Sequence, residues 1–262
     1  MIFFSFKKGK FALDLQIFHT ISHLFKLLYV TSLRKITLQR NKKKINAQTF
    51  FALILLKLHN YLKFVLKCKV KMKNIAIFAS GSGSNAENIV NYFRDNQEVS
   101  ISLIVCNKAD TFVFERAKRL GIPSRLVTKT QMQDEAAVLS LLQEYHIDFI
   151  VLAGYLLLVP KYLVDAYPHA IVNIHPALIP LHCGKGMYGD KVHQAVIDAG
   201  DVVSGITIHR VNEYYDDGDI VCQKMCTVEP TDTAETLAAK VHALEYEWYP
   251  KVIENEVINN TL

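Results

Sequence analysis

Cysteine is scarce in this chain of 262 residues, and the spacing of its cysteines excludes a disulfide framework. The five cysteines form an odd set without regular spacing, which is typical of free thiols in a reducing compartment, so we expect a cytoplasmic protein. Cys222 and Cys226 lie too far apart for a zinc knuckle. The adjacent pair His182 and Cys183 is a weak metal motif, and we expect no metal site.

The first 71 residues lack proline, contain the single glycine Gly9, and carry one acid, Asp14, against fifteen Lys and Arg. Their most apolar run, residues 51–56, is followed at once by Lys57. Further lysines interrupt each apolar run well before the roughly 20 residues that a spanning helix needs. A small-residue cleavage site is also missing, so the pattern argues against both a membrane span and a secretory signal.

Three interpretations of residues 1–71 stay open: a signal or membrane anchor, a basic amphipathic arm, and upstream sequence that is untranslated or disordered. The arm is supported by the basic run 40–44, which suits a membrane surface or nucleic acid. The upstream interpretation is favoured because Met72 stands directly before the first regular strand pattern. We therefore divide the chain into a basic, apolar N-terminal extension, 1–71, and a functional domain, 72–262.

Apolar runs alternate with amphipathic segments from residue 72 onward, where acids outnumber Lys and Arg. The predicted strands are Ile75–Ala79, Val99–Cys106, Phe149–Ala153, Ile171–Ile174, Gly205–Val211 and Ile220–Cys226. The predicted helices are 85–95, 111–120, 132–146, 160–166, 190–199 and 233–254. This alternation predicts a single α/β domain with a Rossmann-like open, mostly parallel sheet and helices on both faces.

Asn173 and His175 stand at the end of a short apolar run that two prolines, Pro176 and Pro180, prevent from continuing. Period-2 alternation directs both side chains to the same side of the predicted strand. A capping Asn beside a structural histidine is one interpretation. The other is an amide donor beside a titratable imidazole, a pair that suits a reaction with negative charge on a carbonyl oxygen and a proton transfer.

A glycine loop, residues 80–86, joins the first predicted strand to the first predicted helix. Its small residues allow close approach to a phosphate, and the helix N-terminus offers free N–H groups; Ser84 and Asn85 are also good capping residues. A plain tight turn and a nicotinamide-dinucleotide site remain alternatives. The second is weakened because no acid follows the second strand until Asp110.

An acidic turn, residues 211–220, links the last two predicted strands. Its Asp-Gly pair is common in solvated hairpins. Alternatively, a carboxylate such as Asp216 raises the pKa of a nearby histidine and keeps it protonated.

These segments together resemble the folate-dependent formyltransferase family, and in particular its glycinamide ribonucleotide (phosphoribosylglycinamide) formyltransferases. The matching pieces are residues 80–85, 152–155, 173–178, 204–207 and 215–218, in an order and spacing that agree over about residues 73–255. The resemblance implies transfer of formyl from 10-formyltetrahydrofolate, a cosubstrate, to the amine of glycinamide ribonucleotide in purine synthesis. It implies small-molecule substrates, without nucleic acid or a membrane for the catalytic domain, and leaves a homodimer open.

Residue roles follow from the resemblance. Asn173 would stabilise the tetrahedral intermediate, and His175, protonated with help from Asp216, would donate or shuttle the proton. The substrate phosphate and ribonucleotide would be held by four residues: Gly83, Ser84, Asn85 and Glu245. The folate pocket would be formed by Asn173 together with four apolar residues: Leu156, Leu157, Leu158 and Val159.

The chain departs from the family pattern in three places. The segment 129–133 has no Arg where many relatives have one for folate, and Leu157 stands where some have a basic residue. The run 181–189 lacks the family's Gly-x-His, which leaves Tyr188 or Lys185 as candidate substrate contacts. Rival functions are a formyltetrahydrofolate hydrolase, a methionyl-tRNA formyltransferase, a nicotinamide-dependent oxidoreductase, and a non-enzymatic binder acting through the basic extension.

Overall fold

A computed structural model describes residues 72–259 of the chain. The three interpretations of residues 1–71 therefore fall on residues outside the described part. Within 72–259, no helix is both long enough and apolar enough to cross a membrane.

Seven strands and six helices form in the described part of the chain. The strands are β1 (Lys73–Ala79), β2 (Val99–Cys106), β3 (Ser124–Leu126), β4 (Phe149–Leu152), β5 (Ile171–His175), β6 (Val203–Arg210) and β7 (Ile220–Thr227). The helices are α1 (Ser84–Phe93), α2 (Val113–Leu120), α3 (Glu135–Glu144), α4 (Lys161–Ala166), α5 (Asp190–Ala199) and α6 (Ala234–Asn259), with a 3₁₀ turn at Gln131–Gln133. Every predicted element is present, and β3 is one strand that the pattern did not predict.

The strands form one sheet in the order β3-β2-β1-β4-β5-β6-β7. The first five strands pair in parallel, whereas β5 with β6 and β6 with β7 pair antiparallel. The predicted Rossmann-like, mostly parallel sheet is confirmed. Strand β3 escaped prediction because it is three residues long and its side chains are largely exposed, so it carries no apolar periodicity.

Both faces of the sheet are buried, as the alternation of β1 shows. Ile75 and Ile77 belong to one hydrophobic core, while Ala76 and Phe78 belong to a second core on the opposite face. Helices α1, α2 and α6 contribute buried side chains to the first core, and α3 and α4 contribute to the second. Because both faces are buried, the strands are continuous apolar runs in the sequence.

The chain changes direction across the sheet between β1 and β4, which are neighbours although β2 and β3 separate them in sequence. The loops after these two strands are tied together: the Ser80 N–H donates to the Gly154 carbonyl at 3.0 Å. The Leu156 N–H donates to Ser80 Oγ at 2.9 Å. In open α/β sheets, ligands bind at such a topological switch point, beyond the carboxyl ends of the strands.

Gly205 in β6 leads to a prediction about stability. An alanine Cβ at this position would collide with the backbone carbonyl oxygen of Lys224 in the neighbouring strand β7. Because backbone cannot yield as a flexible side chain can, Gly205→Ala should lower the free energy of unfolding by about 1–3 kcal/mol or more. Urea denaturation followed by circular dichroism measures this.

The matched control is Gly81→Ala, since a Cβ there meets no atom within 4 Å. Its free energy of unfolding should stay within about 0.5 kcal/mol of the parent value. Equal stability of the two variants would contradict the close strand approach at Gly205.

Candidate active site

Strand β5 ends with the two residues of the predicted polar pair. His175 is 3% exposed and Asn173 is half-buried, whereas Val172 before the pair and Ile174 between its members belong to the first hydrophobic core. The alternation therefore places Asn173 and His175 together on the other side of the strand, as predicted.

Asp216, from the acidic turn between β6 and β7, lies against both residues. Its Oδ1 accepts a hydrogen bond from Asn173 Nδ2 at 3.3 Å, and its Oδ2 lies 3.5 Å from His175 Nδ1. The Gly184 N–H also donates to Oδ2 at 3.0 Å. The φ angle of Asp216 is +52°, a left-handed conformation that short polar side chains tolerate and that here accompanies an inward-facing carboxylate.

His209 is a fourth member of this group that the sequence analysis missed. It lies on β6 directly opposite Asn173, and its Nε2 is 3.1 Å from Asn173 Nδ2. Its Nδ1 donates to the Arg210 carbonyl at 3.0 Å, so Nε2 is the acceptor for the Asn173 amide. This contact depends on the antiparallel register of β5 with β6, and the sequence pattern does not give strand register.

The buried group has a defined charge arrangement. Burial raises the pKa of Asp216, but the neighbouring His209, His175 and Gly184 N–H together outweigh it, so the pKa of the carboxyl lies below its ordinary value. Burial lowers the pKa of His175, and Asp216 offsets that effect only in part. Burial therefore favours the neutral imidazole and Asp216 favours the imidazolium, so the expected help from Asp216 is present but is the smaller of the two effects.

The second ring nitrogen of His175 contacts the loop that follows β5. His175 Nε2 donates to the His182 carbonyl at 2.8 Å, and His182 Nε2 lies 2.6 Å from Asp201 Oδ2. Cys183 Sγ contacts the Pro180 carbonyl at 3.3 Å. His182 and Cys183 thus make separate contacts.

The glycine loop leads directly into α1. Gly83 is the N-cap residue with φ of +77°, and no side chain caps the helix, so the first N–H groups of α1 are open to an anion. The expectation that Ser84 and Asn85 cap the helix is wrong, because they are its first two residues. Asn85 Nδ2 instead donates to Glu245 Oε2 at 2.9 Å.

Glu245 anchors the far side of the loop from helix α6. Its side chain is 5% exposed, and its Oε2 also lies 2.8 Å from Nδ1 of His242, a second residue that the sequence analysis missed. The hydrogen bond to Glu245 raises the pKa of His242. The spacing of His242 three residues before Glu245 on one helix was the available signal.

One cleft with a volume of about 330 Å³ joins these groups. It runs from the glycine loop, residues 81–85, to the ends of β4 and β5, and Asp216 and Glu245 line it as well. The predicted phosphate-binding residues and the predicted catalytic residues therefore share one cavity. Its size is within the range of small-molecule sites.

The four apolar residues predicted for folate are not equivalent in the structure. Leu156 lines the cleft, Leu157 packs against the second core, and Leu158 is 40% exposed. Val159 is buried in the second core at 3% exposure, so its side chain does not face the cleft. In the 181–189 run, Tyr188 lines the cleft, while Lys185 is exposed and does not.

A small-molecule cleft at the switch point of an open α/β sheet defines a Rossmann-like ligand-binding domain. The chain belongs to the formyl transferase family, whose model, described as formyl transferase, matches residues 73–253.

The relatives that the chain resembles are phosphoribosylglycinamide formyltransferases. It is 40% identical to that of Bacillus subtilis over 188 residues, which cover 70% of this chain and 94% of the relative. It is 41% identical to the chloroplastic protein of Arabidopsis thaliana over 189 residues. The chain spans 65% of the length of the Arabidopsis protein and 61% of that of a chloroplastic relative from Vigna unguiculata.

Two solved structures are also similar to this chain. The phosphoribosylglycinamide formyltransferase of Bacillus halodurans superposes with a TM-score of 0.65 at 38% identity, covering 71% of this chain and 96% of that one. Glycinamide ribonucleotide transformylase 1 of Symbiobacterium toebii superposes with a TM-score of 0.66 at 30% identity, covering 72% and 89%.

The contact of His175 with Asp216 predicts a titration. Because burial lowers the pKa of His175, its midpoint should lie below the ordinary value of about 6.5. Asp216→Asn removes the charge that opposes this effect, so the midpoint should fall further. Nuclear magnetic resonance of the imidazole carbons measures both midpoints, and His175→Gln assigns the signal.

Asp217→Asn is the matched control, since Asp217 belongs to the same turn but contacts Asn212 instead. Its His175 midpoint should match that of the parent chain. A midpoint above the ordinary range in the parent, or one that Asp216→Asn raises, would refute the charge arrangement described above.

Proposed function

We propose that this protein transfers the formyl group of 10-formyltetrahydrofolate to the amine of glycinamide ribonucleotide in purine synthesis. The observation that carries this proposal is the convergence of Asn173, His175 and Asp216 in one cleft with an open helix N-terminus. An anion site at one end and an acyl-transfer set at the other suit a phosphorylated amine that attacks a formyl group.

The phosphate of the ribonucleotide binds at the N-terminus of α1. The N–H groups of Gly83, Ser84 and Asn85 begin the helix, and its dipole favours negative charge at this end. Glu245 holds the Asn85 amide from the opposite side and lines the same cleft, where it receives the amine-bearing part of the ribonucleotide.

Asn173 stabilises the oxygen that becomes negative when the amine attacks the formyl carbon. Its amide nitrogen donates to His209 at 3.1 Å and to Asp216 at 3.3 Å. The contact with Asp216 is the longer of the two, so its hydrogen is the one available to the oxyanion. A donor placed at this position stabilises the tetrahedral intermediate more than the starting carbonyl.

His175 moves the proton. As a neutral imidazole it accepts a proton from the attacking amine as the carbon–nitrogen bond forms, and it becomes an imidazolium beside the Asp216 carboxylate. It then donates that proton to the departing folate nitrogen as the old carbon–nitrogen bond breaks. For this exchange, the substrate replaces the His182 carbonyl as the partner of His175 Nε2.

The formyl donor lies beside Leu156, at the end of the cleft formed by the loop after β4. The catalytic domain is assigned to residues 72–262, with small-molecule substrates and without a metal. A homodimer and a cytoplasmic location stay predictions, the latter because two plant relatives are described as chloroplastic.

The proposal predicts the effects of removing single groups. With glycinamide ribonucleotide and 10-formyltetrahydrofolate as substrates, Asn173→Ala should lower kcat by about 10²–10³, the usual loss for one oxyanion donor. His175→Ala should lower kcat by about 10²–10⁴, the range of general acid–base catalysis. Absorbance of the tetrahydrofolate product gives the rates.

His146→Asn is the control, because His146 is an exposed histidine after α3 with a left-handed φ of +50° that Asn also tolerates. Its rate should equal that of the parent chain. Absence of formyl transfer by the parent chain, or full activity of His175→Ala, would remove the proposal.

A further inference from the structure

Helix α2 packs against the back of the glycine loop, and two of its residues shape that loop. A Cβ on Gly83 would lie 2.5 Å from Val113 Cγ2, so the first residue of α2 closes the space behind Gly83. One turn later, Arg116 Nε donates to the Ser82 carbonyl at 2.9 Å. The loop is thus fixed by packing at one residue and by a charged hydrogen bond at the residue before it.

The contact with Arg116 sets the direction of a peptide unit in the loop. In a trans peptide, the carbonyl and the following N–H point in opposite directions. Since Arg116 holds the Ser82 carbonyl on the outer side of the loop, the Gly83 N–H is aimed away from α2. Gly83 lines the cleft, so this N–H is presented to an anion there.

Arg116 also acts on the charge next to the loop. Glu87 lies in the first turn of α1, where its carboxylate would repel a bound phosphate. Both Arg116 and Arg119 form ion pairs with Glu87. The Arg116 side chain is 21% exposed and that of Arg119 is 59% exposed, so the pair with Arg116 is the better shielded from solvent.

We propose that Arg116 is a positioning residue for the phosphate subsite, which it supports by fixing the Ser82 carbonyl and neutralising Glu87. This inference rests on the proposed function, because it assumes that the phosphate of the ribonucleotide binds at the glycine loop. Arg116 does not line the cleft, and it acts through the backbone of residues 82–83.

The test compares Arg116→Met with Arg119→Met in the full chain. Arg119 shares the partner Glu87 but has no bond to Ser82, so it separates the loss of a charge from the loss of loop orientation. In Arg116→Met, the KM for glycinamide ribonucleotide should rise roughly tenfold or more, the size expected for a lost hydrogen bond from a charged group. The kcat and the KM for 10-formyltetrahydrofolate should change less than about threefold, and Arg119→Met should match the parent chain throughout.

A second variant and a binding measurement keep the test decisive if Arg116→Met fails to fold or is inactive. Arg116→Lys keeps the charge near Glu87 but cannot donate from Nε, so its KM should lie between those of the parent and Arg116→Met. Ribose 5-phosphate should raise the Tm of the parent chain and of Arg119→Met, and should raise that of Arg116→Met less.

The outcomes separate this inference from the proposed function. An unchanged ribonucleotide KM in Arg116→Met, an equal rise in Arg119→Met, or a fall in kcat alone would overturn the role of Arg116. Absence of formyl transfer by the parent chain would overturn the proposed function, and the Tm shifts with ribose 5-phosphate would still decide the role of Arg116.

Discussion

The buried carboxylate of Asp216 is the interaction on which the site depends. It joins the end of β5 to the β6–β7 turn and to the loop that follows β5, through Asn173, His175 and Gly184. The turn lies 43 residues from Asn173 and 32 residues from Gly184 in sequence, and removal of the carboxylate would take a hydrogen-bond acceptor from both. A buried polar network of this kind orients its members because every lost bond is costly in a low-dielectric interior.

At the opposite end of the cleft, contacts from distant segments also hold the binding groups in place. There the backbone provides the positive potential, through the open N-terminus of α1, and side chains from two other helices hold the loop in place. Glu245 from α6 fixes the Asn85 amide, and Arg116 from α2 fixes the Ser82 carbonyl. An ionised carboxylate at one end and a helix N-terminus at the other create a gradient of charge that orients a phosphorylated amine in one direction.

Burial and the Asp216 carboxylate act on the charge of His175 in opposite directions. His175 is in contact with a carboxylate and still has a lowered pKa, because removal of water disfavours the imidazolium more than Asp216 favours it. A histidine whose neutral form is favoured by burial and whose charged form is stabilised by a carboxylate suits proton transfer in both directions, since it first accepts and then donates.

The sequence by itself determined the alternation of strands and helices, the glycine loop, and the positions of Asn173, His175 and Asp216, because local periodicity and turn chemistry encode them. It could not give β3, which is too short and exposed for a pattern, or the contact of His209, which depends on strand register. Whether Asp216 reaches His175 and how deeply the two groups are buried were decided only by the tertiary structure. Long-range packing sets distance and burial, and those two quantities control the pKa of both groups.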